Sequence, residues 1–177
     1  INHIKGVTKM PLQLVTKEQS STALQSLTTT SPKEIEETVL STMESILDFE
    51  EKLNRDFSIR EYVLTKTPTS SQLAKAKKIM AFAMTPMPQA DVEQELLNTL
   101  AVMAKQTGLT QQDYAVKLRL MAQDLDDFPA DILLFATKHI RRNKTFFPSL
   151  SEIREAGEWR YHKRKLLCEM VQKSTNK

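Results

Sequence analysis

The sequence predicts an all-α fold, a small helical bundle of about six helices behind a flexible, Ser/Thr-rich N-terminal tail. Three observations carry this reading. Seven prolines, at 11, 32, 68, 86, 88, 129 and 148, divide the chain into intervals of helical periodicity, and proline is expelled from helix interiors at a cost of about 3 kcal/mol. Several intervals open on a Ser or Thr with an acid or amide three positions later, the signature of a capping box. After residue 31 no strand-and-turn pattern is read.

Residues 1–31 hold ten Ser/Thr and scattered apolar side chains, too little to offset the entropy of ordering the backbone. They read as a tail, although the alternation Met10, Leu12, Leu14 fits a short strand. Ser31-Pro32-Lys33-Glu34 combines an N-cap serine, a first-turn proline and a glutamate at N3, a helix start. Ile35, Val39, Met43, Ile46, Leu53 and Phe57 then recur at helical spacing, so the helix is expected to run to about Phe57. Residues 32–66 form on this reading an acidic amphipathic module, and 67–177 a helical domain with a basic C-terminal helix.

Thr69 and Gln72 cap a lysine-bearing helix over about 70–84, which the Met84-Thr85-Pro86-Met87-Pro88 segment ends, because a residue before proline avoids the α region. The next helix, about 89–107, carries Val92, Leu96, Leu100 and Met103 and stops at Gly108. Thr110 restarts the chain. Tyr114, Leu118, Met121, Leu125 and Phe128 keep helical spacing up to Pro129, where a further helix begins with Asp131 placed to complement its dipole. Ser149 and Glu152 open the last helix, to about Gln172, bearing Ile153, Ala156, Trp159, Leu166 and Met170.

Composition narrows the function. Three glycines and the lack of G-x-x-x-x-G-K-[ST] or G-x-G-x-x-G argue against a nucleotide-hydrolysing core. A single cysteine, Cys168, reads as a small buried apolar residue, with neither disulfide nor zinc spacing around it. No cofactor, no metal and no small-molecule substrate are expected. Asp124, Asp126, Asp127 and Asp131 lack the spacing of a calcium loop and read as helix-end residues, while His139 and His162 accompany no nucleophile motif. No membrane span and no apolar signal segment is read, so the chain, which starts at Ile1 and reads as a processed or truncated product, is expected to be soluble and cytoplasmic.

The net charge of +3 hides alternation. Residues 132–177 carry eleven Lys/Arg against four Asp/Glu, a net +7, whereas 32–57 carry three against eight, a net −5. Arg141, Arg142, Lys144, Arg160, Lys163, Arg164 and Lys165, with Arg154, therefore read as a basic surface able to attract a polyanion or an acidic protein face. Phe146, Phe147, Trp159 and Tyr161 interleave it, as bases stacking on aromatic rings would require. Phe147 is taken as a binding residue, and Phe146 and Trp159 as core.

The stretch Asp127-Phe128-Pro129, then Arg141-Arg142-Asn143-Lys144-Thr145-Phe146-Phe147-Pro148-Ser149, then Glu152-Ile153 reads as an αα-corner with a basic apex. It resembles a pattern, (F/Y)P…A…(R/W)RR…(K/R)-x-F-x-PS-x-x-E(I/L), of small phage and prophage replication proteins that load the replicative DNA helicase. The likeness covers about residues 110–160; Arg141, Arg142, Lys144, Phe146, Phe147, Pro148, Ser149 and Glu152 match it. The resemblance implies a protein without ATPase chemistry that binds a hexameric helicase and delivers it to an origin or to single-stranded DNA, in a bacterial host cell. Phe128, Pro129, Phe146, Pro148, Ser149 and Glu152 would build the corner. A DNA-binding or nucleoprotein-organising regulator using the basic final helix is the alternative, and an assembly protein oligomerising through 32–57 a third.

Overall fold

The computed structural model describes residues 24–104 and 108–174. The Met10–Leu14 alternation and most of the expected tail lie outside these residues. Helix α1 enters the described chain at 24–29, with Leu27 on it fully buried, so the end of the expected tail belongs to packed structure.

Helix α2, Pro32–Ile46, starts as the sequence implies: the Ser31 amide donates to the Glu34 carboxylate (3.2 Å) and the Glu34 amide to Ser31 Oγ (3.3 Å). It stops at Ile46 rather than near Phe57. Strands β1 (Phe49–Leu53) and β2 (Ile59–Leu64) follow as an antiparallel hairpin in the register Phe49↔Leu64 and Glu51↔Tyr62. The all-α expectation is corrected accordingly, to a mostly helical fold with a small antiparallel sheet. The cause lies in the turn. The Asn54 amide donates to the Ser58 carbonyl (2.8 Å), and Asp56 accepts from the Ser58 amide (3.1 Å) and hydroxyl (2.6 Å). Such short polar side chains offer the backbone partners that compete with helical bonds, and Ile59, Tyr62 and Val63 favour a strand. The helical spacing of Leu53 and Phe57 was coincidental: Phe57 is 83% exposed, at a positive φ of 64°.

Helix α3, Ser70–Ala83, begins at the expected Thr69/Gln72 capping box. The Gln72 side-chain Nε2 also donates to the Ile46 carbonyl at 2.7 Å, meeting one of the unpaired carbonyls in the last turn of α2. Helices α4 (Gln89–Val102), α5 (Gln111–Asp124), α6 (Ala130–Asn143) and α7 (Leu150–Lys173) complete the order. The expected end of α4 near residue 107 is corrected to Val102, because Met103 and Ala104 leave the helix in extended conformation. Gly108 has the positive φ of 89° that glycine tolerates, but it does not cap α4.

Helices α6 and α7 lie along each other, α4 packs on α5 and α6, and α3 packs on α2 and α7, while β2 rests on α7. Gly157 permits the close approach of α7: a Cβ there would sit 2.7 Å from Ile132 Cγ2 and from Phe128 Cζ. Ile35, Val39, Met43 and Tyr62 share one apolar core with Leu96, Phe128, Ile132, Ile153 and Leu167, so the segments 32–66 and 67–177 are joined by packing. No described helix is long and apolar enough to cross a membrane.

Candidate partner-binding corner

The turn between α5 and α6 anchors the corner from below. Phe128 is fully buried and Pro129, also buried, is the N-cap of α6. The Phe128 ring meets Tyr161 (centroids 5.2 Å apart), and the Arg154 guanidinium lies 5.7 Å from its centre. Arg154 donates to Asp127 (2.9 Å) and to the Asp124 carbonyl, and Tyr161 donates to Asp127 at 3.0 Å. Burial, with the Asp127 charge second, pushes the Tyr161 phenol up to about 12. These aspartates fasten α7 to the turn. Among the described residues no group of His, Cys, Asp or Glu could hold a metal ion.

Above, α6 ends at Asn143 and the chain runs extended to the next cap. The Ala104 amide donates to the Thr145 carbonyl (3.0 Å), and the Phe147 amide to the Ala104 carbonyl (3.1 Å). In extended backbone, successive side chains point opposite ways, so this bridge decides which phenylalanine is buried. Phe147, 2% exposed, points inward, edge-on to Tyr114 (6.4 Å), with the Lys117 ammonium 5.3 Å from its ring centre. Phe146, 59% exposed, points out. The sequence expectation is corrected on both: Phe147 is the core ring and Phe146 the presented one. Buried Pro148 leads to Ser149, whose amide donates to Glu152 (2.9 Å). The Ser149 amide, then Lys144 at 3.2 Å, hold the Glu152 carboxyl below its usual range.

The basic surface read from the sequence is largely spent inside the fold. Arg141 donates to Glu95 (2.5 Å) and Thr99 (2.8 Å) on α4. Arg160 pairs with Glu36 at 2.7 Å and stacks on Phe135 and Trp159. Arg164, 1% exposed, makes two bonds to buried Asp131 (2.8 and 2.5 Å) and one to the Ala83 carbonyl (2.7 Å). Arg160 and Arg164 are therefore corrected from binding residues to structural ones, and Asp131 from a dipole residue to the partner of Arg164. Arg142, Lys163 and Lys165 are exposed, with no ion pair among the described residues. Trp159, expected in the core, is half exposed, with Lys163 over its ring at 5.3 Å.

No protein-family model matches the chain, nor does any curated protein or solved structure.

At this corner Phe146, Arg142 and Lys144 remain accessible, an aromatic and basic apex. Val102, 70% exposed, stands two residues before the bridging Ala104. Sequence reading missed Val102, because only the bridge brings the end of α4 to the corner. Among the described residues, the carboxylates displaced from their usual range, Asp56, Asp113 and Glu152, are all lowered by hydroxyl and amide donors at a turn or a helix cap, with Lys144 adding to the effect on Glu152, and burial pushes the half-buried Cys168 thiol up to about 11, away from the reactive thiolate.

Proposed function

We propose that the chain is a replication accessory protein of the phage type, without ATPase chemistry, which engages a hexameric replicative helicase through the α6–α7 corner. One observation carries the reading: Phe146 contributes nothing to the core, yet the backbone bridge to Ala104 holds it outward at an apex that also carries Arg142. Aromatic and arginine side chains are those that protein interfaces enrich and that dominate their binding energy. The pattern resembling helicase-loading proteins divides accordingly. Phe128, Pro129, Phe147, Pro148, Ser149 and Glu152 build the corner, Arg141 ties it to α4, and Arg142 and Phe146 face solvent.

The alternative, a DNA-binding regulator, draws support from exposed Arg142, Lys163 and Lys165. It is the weaker reading because Arg141, Arg154, Arg160 and Arg164 are already neutralised by acids of the same chain, which lowers the field available to phosphates. Sedimentation of the purified chain with a helicase hexamer, and separately with single-stranded DNA, at low and moderate salt separates the two. Salt-tolerant association with the hexamer supports the helicase reading; binding to DNA alone, falling steeply with salt, supports the regulator.

A further inference from the structure

The two-stranded sheet leaves β1 with one unpaired edge, since among the described residues only β2 pairs with it as a strand. At one end the Thr65 amide donates to the Asp48 carbonyl (2.9 Å), and at the other the Asn54 amide donates to the Ser58 carbonyl (2.8 Å). Even-numbered residues of β1 thus turn their backbone groups toward β2. By the alternation of an antiparallel pair, Phe49, Glu51 and Leu53 turn theirs outward.

An open edge is a template for another strand, and this one is complementary to itself. Laid antiparallel about Glu51, Phe49-Glu50-Glu51-Lys52-Leu53 sets Phe49 against Leu53 of a second copy and Glu50 against its Lys52, each twice by symmetry. The same register makes 49↔53, 51↔51 and 53↔49 the hydrogen-bonded pairs, which are the positions whose amides and carbonyls face outward. Glu50 and Lys52 then fall at non-hydrogen-bonded positions, where side chains approach most closely. In the single chain these two residues ion-pair with each other along the strand, so the second copy offers each an equivalent partner. The central Glu51↔Glu51 contact opposes the pairing, as like charges do when directly opposite.

We propose that β1 is an isologous interface, through which two copies of this chain join their hairpins into one four-stranded sheet. The pairing closes on itself with two-fold symmetry. It involves neither the α6–α7 corner nor any helicase.

Sedimentation equilibrium of the full chain and four variants tests it. Wild type should dimerise at about 100 µM or below. Lys52→Glu and Glu50→Lys each set like charges opposite at both symmetric sites and should weaken the dimer on the order of tenfold, while the double exchange Glu50→Lys/Lys52→Glu should restore it. Glu51→Gln should tighten it. A wild-type chain that remains monomeric throughout that range overturns the proposal, and so does a dimer indifferent to the single charge reversals.

Discussion

Replacing Arg164 by alanine tests whether this residue belongs to the fold or to a binding surface. The side chain is 1% exposed and supplies two bonds to Asp131, itself buried, and a third to the Ala83 carbonyl. Removing it strands a carboxylate in the core and leaves a carbonyl in the last turn of α3 without its donor. Breaking one side of a buried ion pair costs about 3–5 kcal/mol, and in a domain of this size each kcal/mol lowers the melting temperature by about 2–4 °C. A drop of roughly 6–20 °C is therefore expected in thermal unfolding followed by circular dichroism, with a matching loss in urea titration. The exposed neighbour Lys165→Ala should change stability by less than about 0.5 kcal/mol. Substituting both members with apolar residues, Asp131→Leu with Arg164→Met, should recover most of the loss, because the uncompensated charge is gone. An Arg164→Ala protein within about 1 kcal/mol of wild type would refute the buried pair and return Arg164 to the surface the sequence assigned it.

Other expectations follow from the same packing. Gly157→Ala would place a methyl 2.7 Å from Ile132 and Phe128 and should destabilise by about 1–3 kcal/mol through overpacking, measured by urea unfolding. Phe57→Asn should stabilise by up to about 1 kcal/mol, since the exposed ring at φ 64° bears a left-handed conformation that asparagine accepts more readily; lower stability would show that the ring packs. Because the Glu152 carboxyl is held below its usual value of 4.5, its contribution is present above that value and lost as pH falls through the lower folded value. Glu152→Gln should accordingly flatten the acid limb of a melting-temperature profile. The Tyr161 phenol, raised to about 12, should remain protonated in a spectrophotometric titration at pH values where free tyrosine has ionised, near 10.

Helix starts were legible because a capping box is local: Ser31/Glu34, Thr69/Gln72 and Ser149/Glu152 each close within four residues. The hairpin was not, because Leu53 and Phe57 fit a helical stripe as well as they fit a strand end and its turn, and the deciding bonds of Asn54, Asp56 and Ser58 carry no apolar signal. The corner was recognisable as a corner, yet the choice between Phe146 and Phe147 depends on an extended segment paired with Ala104, more than forty residues away in the chain. Charge was misleading for a related reason. Arg141, Arg160 and Arg164 look alike in sequence to Lys163 and Lys165, and differ because Glu95, Glu36 and Asp131 arrive from other helices.

Phe147 holds the corner, and we propose that exposed Phe146 is presented to a protein partner. Affinity of the Phe146→Ala chain for a replicative helicase hexamer, measured beside wild type by titration calorimetry, tests it most directly. Unchanged melting and a loss of affinity of tenfold or more are expected, the effect of removing an aromatic hot spot worth about 2 kcal/mol. Wild-type affinity in the variant, or no binding by the intact chain, would contradict it.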